Sequence, residues 1–124
     1  MNVYIAGAFE SQARLRHLRD RVEALGSTVI GTWLDEEGSG TPTFQDALGY
    51  AVRDLSEVRV ADLLILDTFD VNERGGREVE YGAAFAWGIP TVRVGPARNV
   101  FHQLQKEYPD WDTLLAAEWL REGG

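Results

Sequence analysis

The stretch ADLLILD, Ala61–Asp67, decides the fold. Between Asp62 and Asp67 it is continuously apolar, without the alternation of a strand that keeps one face wet. Such a strand is covered on both faces, which is the situation in parallel sheets sandwiched by helices. Immediately downstream, TFDVNERGG is a loop, residues 77–88 carry helical spacing, and Gly88-Ile89-Pro90 ends that helix. TVRV, Thr91–Val94, is a further strand. Upstream, Phe44, Leu48, Ala51, Val52, Leu55 and Val58 form the apolar face of a helix. Arg53-Asp54 marks a place where that helix could break, and Thr43 with Asp46 resembles a capping box at its start.

The same alternation extends to both ends. VYI, Val3–Ile5, is a short β-run, and Ser11 is placed to cap a helix carrying Leu15, Leu18, Val22 and Leu25 up to Gly26. TVIGTW, Thr28–Trp33, is a second strand, and LDEEGSGTPT, Leu34–Thr43, is an acidic, turn-rich loop whose spacing fits no calcium site. Asn99 can cap a short helix through Gln105, Asp112 can cap a last helix with Leu114, Leu115, Trp119 and Leu120, and there is room for a short strand between the two. Strands alternating with helices predict one α/β domain over residues 1–124, with a flavodoxin-like parallel sheet in the order 2-1-3-4-5 and helices on both faces. In that order the reversal falls between the first and third strands, where ligands bind beyond the carboxyl ends. AGAFE, Ala6–Glu10, and DTFDVNERGGRE, Asp67–Glu78, are the loops that leave those strands.

Bulk properties narrow the function. The net charge of −8 argues against nucleic-acid polymers, which require a basic footprint, but leaves room for a small anion held by local arginines. No apolar run approaches the ~20 residues of a membrane span. The opening MNVYIAGAF lacks the basic start and long apolar stretch of a signal peptide, so a cytoplasmic protein is the simple expectation. With no cysteine there is neither a thiolate nucleophile nor a zinc-thiolate site, and two histidines without a carboxylate cluster form no metal pattern. His17, among charges, belongs to solvent; His102 is expected on a helix surface, with the pocket as the alternative. The tryptophans are expected in core or interface, and Trp33, after the second strand, could wall a pocket.

Glu78 and Glu80 open the helix after the buried strand. Either they merely complement the helix dipole, or one does chemistry: a carboxylate one turn into a helix is expected to stay ionised, as a nucleophile must. Gly75 and Gly76 allow a close backbone approach, and Arg77 adds a cation, so an anionic group such as a phosphate could sit there. Alternatively, Arg74 and Arg77 pair with Glu73 and Glu78 on the surface.

VYIAGAF, DLSEVRVADLLILD and GGREVEYGAAFAWGIPTVRVG, in this order and spacing, resemble the nucleoside 2-deoxyribosyltransferase family, which includes deoxynucleoside 5′-monophosphate N-hydrolases. The resemblance covers roughly residues 1 to 95, and VGPARNVFHQL with DWDTLL looks like small members of the same superfamily. It implies that Glu80, the Glu of Glu-x-Gly, attacks C1′ of deoxyribose and expels the base, after which a second base or water accepts the sugar. It implies that Asp54 shuttles protons to and from the base; read from its own neighbours, Asp54 with Glu57 could equally be a capping box. It places Tyr4, Gly7 and Phe9 beside sugar and base, although Tyr4 and Phe9 could equally be packing residues. Asp67, Gly76 and Arg77 complete the expected substrate site. No cofactor is implied, and the expected partners are a small nucleoside or nucleotide and further copies of the chain in a homodimer or larger oligomer. Transferases often carry an acid six residues before the nucleophile; here Arg74 stands there, which weakens the case for base exchange on free nucleosides, and Arg74 with Arg77 beside the pocket favours a phosphorylated ligand. A protein that binds a nucleotide or nucleotide-derived signal without turning it over is the alternative.

Overall fold

A computed structural model describes residues 1–37, 44–71 and 74–122. One five-stranded, wholly parallel sheet carries β1 (Asn2–Ala6), β2 (Thr28–Val29), β3 (Leu63–Asp67), β4 (Thr91–Val94) and β5 (Lys106–Tyr108), in the order β2-β1-β3-β4-β5. The expected order is therefore the observed one, and the room left for a short strand is filled by β5. Among the described residues, five α-helices accompany the sheet: α1 (Gln12–Glu23), α2 (Phe44–Arg59), α3 (Gly76–Ala86), α4 (Trp111–Leu115) and α5 (Glu118–Glu122). α1 packs against α4, and α2 against α3. With right-handed crossovers, these pairs cover opposite faces of the sheet.

The core lies where the uninterrupted apolar run places it. All five residues of β3 are buried, and so are Val3–Ala6 of β1. Leu15, Leu18 and Val22 cover one face, and Tyr81 and Ala84 belong to the same core cluster. Burying this surface is the main favourable term for the fold.

Several local expectations change. The second strand is only two residues long, because the chain folds back into a 3-10 turn at Thr32–Asp35. That turn buries Trp33, whose indole N–H donates to the Ile5 carbonyl at 2.8 Å. Gly31 permits it, since a Cβ there would meet Tyr4 and Trp33 ring carbons at 3.3 Å. Ser11 occupies the N-cap of α1 but bonds no helix N–H; its hydroxyl donates to Asp70 instead. The last segment is capped by Asp110, which accepts from the Thr113 N–H at 2.7 Å, while Asp112 lies in the first turn. Asn99 does cap a short helix, a 3-10 turn at Val100–Leu104. The Thr43–Asp46 capping box lies outside the described residues.

α2 runs unbroken through Arg53-Asp54. Of its expected apolar face, only Val58 is fully buried among the described side chains, while Leu48 and Val52 are 54% and 57% exposed. The periodicity gave the helix correctly, but a single chain leaves much of the stripe uncovered.

Candidate active site

A cleft of about 130 Å³ opens at the carboxyl ends of the strands, at the β1/β3 reversal. Gly7 and Phe9 reach it from the loop after β1, Trp33 and Glu36 from the turn after β2, and Asp54 from α2. Arg74, Gly76, Arg77 and Glu80 reach it from the entry to α3. Three consecutive crossovers, β1–β2, β2–β3 and β3–β4, thus deliver side chains to one place, as a parallel sheet with a reversal point allows.

Glu80 is the most perturbed carboxyl of the cleft. It is 8% exposed, and the Tyr4 hydroxyl donates to its Oε2. Burial pushes its pKa up to about 8, against the Tyr4 hydrogen bond, with Asp54 and Glu57 adding negative charge nearby. The expectation that the helix start keeps Glu80 ionised is therefore corrected. Glu80 is the fifth residue of α3, past the first turn where unpaired N–H groups and the dipole act, and desolvation dominates there. Tyr4 is itself fully buried, and its hydroxyl is driven well above the usual tyrosine range by burial and by Glu80. It lies behind the cleft and fixes Glu80 from there.

Asp54 sits mid-helix, which removes the capping-box reading. Arg53 donates to its Oδ1 through Nη2 at 2.9 Å and Nε at 3.2 Å. Burial outweighs this partner and raises the Asp54 carboxyl above its ordinary value. The Arg53 guanidinium serves three acids, reaching Glu36 at 3.4 Å and Glu57 at 3.8 Å as well.

Gly7 is needed for close packing: a Cβ would stand 2.5 Å from Leu15 Cδ1. At the mouth, Arg74 stacks on the Phe9 ring at 4.7 Å and pairs with Glu10 at 3.5 Å, both of them exposed. Gly75 adopts φ +80°, a left-handed turn that glycine makes at little cost, and Gly76 then starts α3 with open space beside it. Arg77 lines the cleft, but its guanidinium is spent on structure: Nη1 donates to the carbonyls of Asp70 at 2.6 Å and Asp67 at 3.3 Å. Its Nε pairs with Glu78 at 3.5 Å, so that part of the surface-pairing alternative is seen in a buried setting. Glu73 lies outside the described residues.

Asp67 is not brought to the cleft. It is fully buried and takes a bidentate contact from Arg14, both bonds at 2.8 Å, with a third at 2.7 Å from the Trp111 indole. His102 is not on a surface either. It is fully buried, its Nδ1 accepts from the Arg98 N–H at 2.9 Å, and its Nε2 lies 2.9 Å from both Glu78 oxygens. An Nδ1 that accepts leaves the proton on Nε2, so His102 donates to Glu78. This bond ties the loop after β4 to the first turn of α3. Isolated spacing gave no sign of it, because the partners are brought together only by the crossover.

Glu36 is the cleft residue that sequence reasoning missed, because it belongs to the acidic, turn-rich stretch Leu34–Thr43. A larger opening of about 740 Å³ lies between α1, the loop after β3 and the start of α4. Its charges are largely matched with one another, Arg21 with Asp112 at 2.8 Å and Arg14 with Asp70 at 3.0 Å, so the unbalanced chemistry lies in the smaller cleft. Among the described residues, no three His, Asp or Glu side chains group to hold a metal ion, and no helix is long and apolar enough to cross a membrane.

No family sequence model matches the chain, and no curated protein does. Solved structures do match over nearly its whole length. A 2-deoxyribosyltransferase from the psychrotolerant bacterium Bacillus psychrosaccharolyticus superposes with a TM-score of 0.77 at 20% identity, covering 96% of this chain and 93% of that one. A conserved protein from Enterococcus faecalis V583 gives 0.76 at 19% identity, over 100% and 99%. A CMP N-glycosidase from Clostridium botulinum gives 0.58 at 17% identity, over 93% and 95%. The chain shares its fold with all three.

Proposed function

We propose that this chain is a nucleoside 2-deoxyribosyltransferase-like enzyme that cleaves or transfers the N-glycosidic bond of a deoxynucleoside or its 5′-monophosphate. The observation that carries this reading is Glu80: a carboxyl buried beneath a small cleft, held by Tyr4, with a second carboxyl, Asp54, lining the same space. Two carboxyl groups of unequal environment at one glycosidic bond are what nucleophilic attack with acid assistance to the leaving base uses. The shared fold with a 2-deoxyribosyltransferase and a CMP N-glycosidase agrees with it.

The mechanism follows from where the cleft keeps its proton. At neutral pH Glu80 holds one, since its pKa lies near 8. A protonated carboxyl is no nucleophile. The productive form has that proton on Asp54 and Glu80 ionised. Glu80 then attacks C1′ while Asp54 gives its proton to the departing base. The covalent glycosyl-Glu80 is released by water or by a second base, with Asp54 taking the proton back. Tyr4 orients the attacking oxygen. Gly76, at the start of α3, and Arg74, at the mouth, are the contacts for a 5′-phosphate, while Arg77 shapes the loop that carries them. The chemistry needs no cofactor.

The proposed assembly is a homodimer or larger oligomer. Leu48 and Val52 on α2, and Val79 and Phe85 on the adjacent α3, are between 49% and 60% exposed, an apolar display that copies of the chain could cover. The expected setting is the cytoplasm.

The test is chromatography of free base after incubation with the deoxynucleosides and their 5′-monophosphates, with and without an acceptor base, beside Glu80→Gln. Base release or exchange that disappears in the variant supports the reading. Arg74 in the place of a transferase acid favours a second reading, binding without turnover. Thermal stabilisation by a nucleotide without any product would select it.

A further inference from the structure

Glu36 stands out within the cleft. Its side chain is 14% exposed, and its Oε1 is buried without a hydrogen-bond donor among the described residues. Arg53 Nη2 stands 3.4 Å from that same oxygen, balancing its charge as an ion pair without hydrogen-bond geometry. A buried acceptor left without a donor costs free energy, and a native site that tolerates one has a use for it. The residue is also firmly placed. The Gln12 side-chain amide donates to the carbonyl of Trp33 at 2.6 Å and to that of Glu36 at 2.9 Å, clamping both ends of the turn. Arg16 holds the Leu34 carbonyl at 3.1 Å, and Arg19 pairs with Asp35 at 2.8 Å. One helix, α1, thus fixes the turn that presents Trp33 and Glu36.

The position within the cleft is informative too. Arg53 touches Glu36 and Asp54 with the same nitrogen, Nη2. Glu36 therefore lies one guanidinium away from Asp54, the carboxyl assigned to the leaving base. Trp33 and Phe9, both lining the cleft, give flat apolar surface suited to a ring.

We propose that Glu36 reads the edge of the base, accepting a hydrogen bond from an exocyclic amino group and so selecting amino-bearing bases over their oxo counterparts. This rests on the function proposed above. A carboxylate only accepts, so an amino group at pyrimidine C4 or purine C6 satisfies it, and a carbonyl at the same position repels it. The geometry assigns the substrate class by that rule: cytosine over uracil, adenine over hypoxanthine. A site built around one buried polar partner discriminates far better than apolar fit does.

The experiment measures kcat/KM for base release from matched pairs, deoxycytidine against deoxyuridine and deoxyadenosine against deoxyinosine, together with their 5′-monophosphates, in wild type and Glu36→Gln. Wild type is expected to favour the amino member of each pair by roughly ten- to hundredfold. The glutamine amide carries a donor as well as an acceptor and can turn either toward the base, so the ratio should fall toward one in the variant. A thermal melt confirms that the variant folds, and a loss of overall rate without a change of ratio would mark Glu36 as structural and overturn the inference. An oxo preference in wild type, or an amino preference that survives in Glu36→Gln, also overturns it. Failure of the underlying reading looks different: no base is released from any substrate by either protein.

Discussion

Two carboxylates sit within the buried carboxyl end of this sheet, and they have opposite fates. Asp67, at the end of β3, meets a bidentate arginine and an indole N–H, so its charge is matched and its hydrogen-bonding capacity is used. Glu80, at the adjoining start of α3, has a tyrosine hydroxyl and no cation in hydrogen-bonding contact among the described residues, and it is pushed up to about 8. Burial is nearly the same for both, at 0% and 8% exposure, so burial alone does not separate them. The partners do. A buried acid surrounded by donors becomes a joint between elements, here β3, α1 and α4. A buried acid left short of them retains the free energy that chemistry can use.

The largest expected effect tests the reactive side. Glu80→Gln should lower base release by at least roughly 10³-fold with the fold intact, read by single-turnover chromatography and circular dichroism. Full activity would remove Glu80 from the mechanism. Asp54→Asn should cost about 10²-fold and, more tellingly, change the shape of the pH profile. In wild type the productive cleft holds one proton shared by two acids. kcat/KM should therefore fall on the alkaline side near pH 8, where that proton is lost, and on the acid side as a second proton binds. In Asp54→Asn only an ionised Glu80 is required, so the alkaline fall should become a rise. An unchanged alkaline limb would break the one-proton arrangement.

The structural side predicts stability instead of rate. Arg14→Met leaves Asp67 buried without its cation and should cost about 3 kcal/mol in urea unfolding, with turnover per folded molecule retained. Equal damage to kcat would mean that Asp67 serves the reaction after all. Glu80→Gln should have the opposite effect on stability. The folded pKa of Glu80 is raised from 4.5 to about 8, so stability is fully present below about pH 4.5 and is lost as pH rises through 8. The variant, which does not titrate, should gain over wild type across that window, by an amount on the order of a few kcal/mol at the alkaline end and nothing near pH 4. Melting curves at both ends of the window measure the difference. The smallest effect is expected of Trp111→Phe, which removes one donor from Asp67 and should cost about 1 kcal/mol.

How the site was legible in the sequence follows the same division. The uninterrupted run of β3 and the glycine-arginine entry to α3 point to the loops that carry Gly76 and Arg77, while the family resemblance is what singles out Gly7, Phe9, Asp54 and Glu80; all six line the cleft. Tyr4 was named for its place on β1, and the structure puts it behind Glu80. Asp67, named for its place at the strand end, turned inward to Arg14 and Trp111. Glu36 carries no signal of its own and His102 is expected at a helix surface, because an acidic loop residue and a histidine in a helical pattern look the same whether buried or wet.

By itself the sequence determined the alternation of strands and helices, though not the extent of β2 or the bounds of β5, because that alternation depends on periodicities of two and 3.6 residues and on turn residues that act within a few positions. It also determined which loops meet at the sheet reversal, because parallel crossovers leave few alternatives. Only the tertiary structure decided what each acid is for. Tyr4 meets Glu80 across 76 positions, and Arg14 meets Asp67 across 53. The protonation of a carboxyl is set by the dielectric and the donors that surround it in space, and no local pattern in the chain records those.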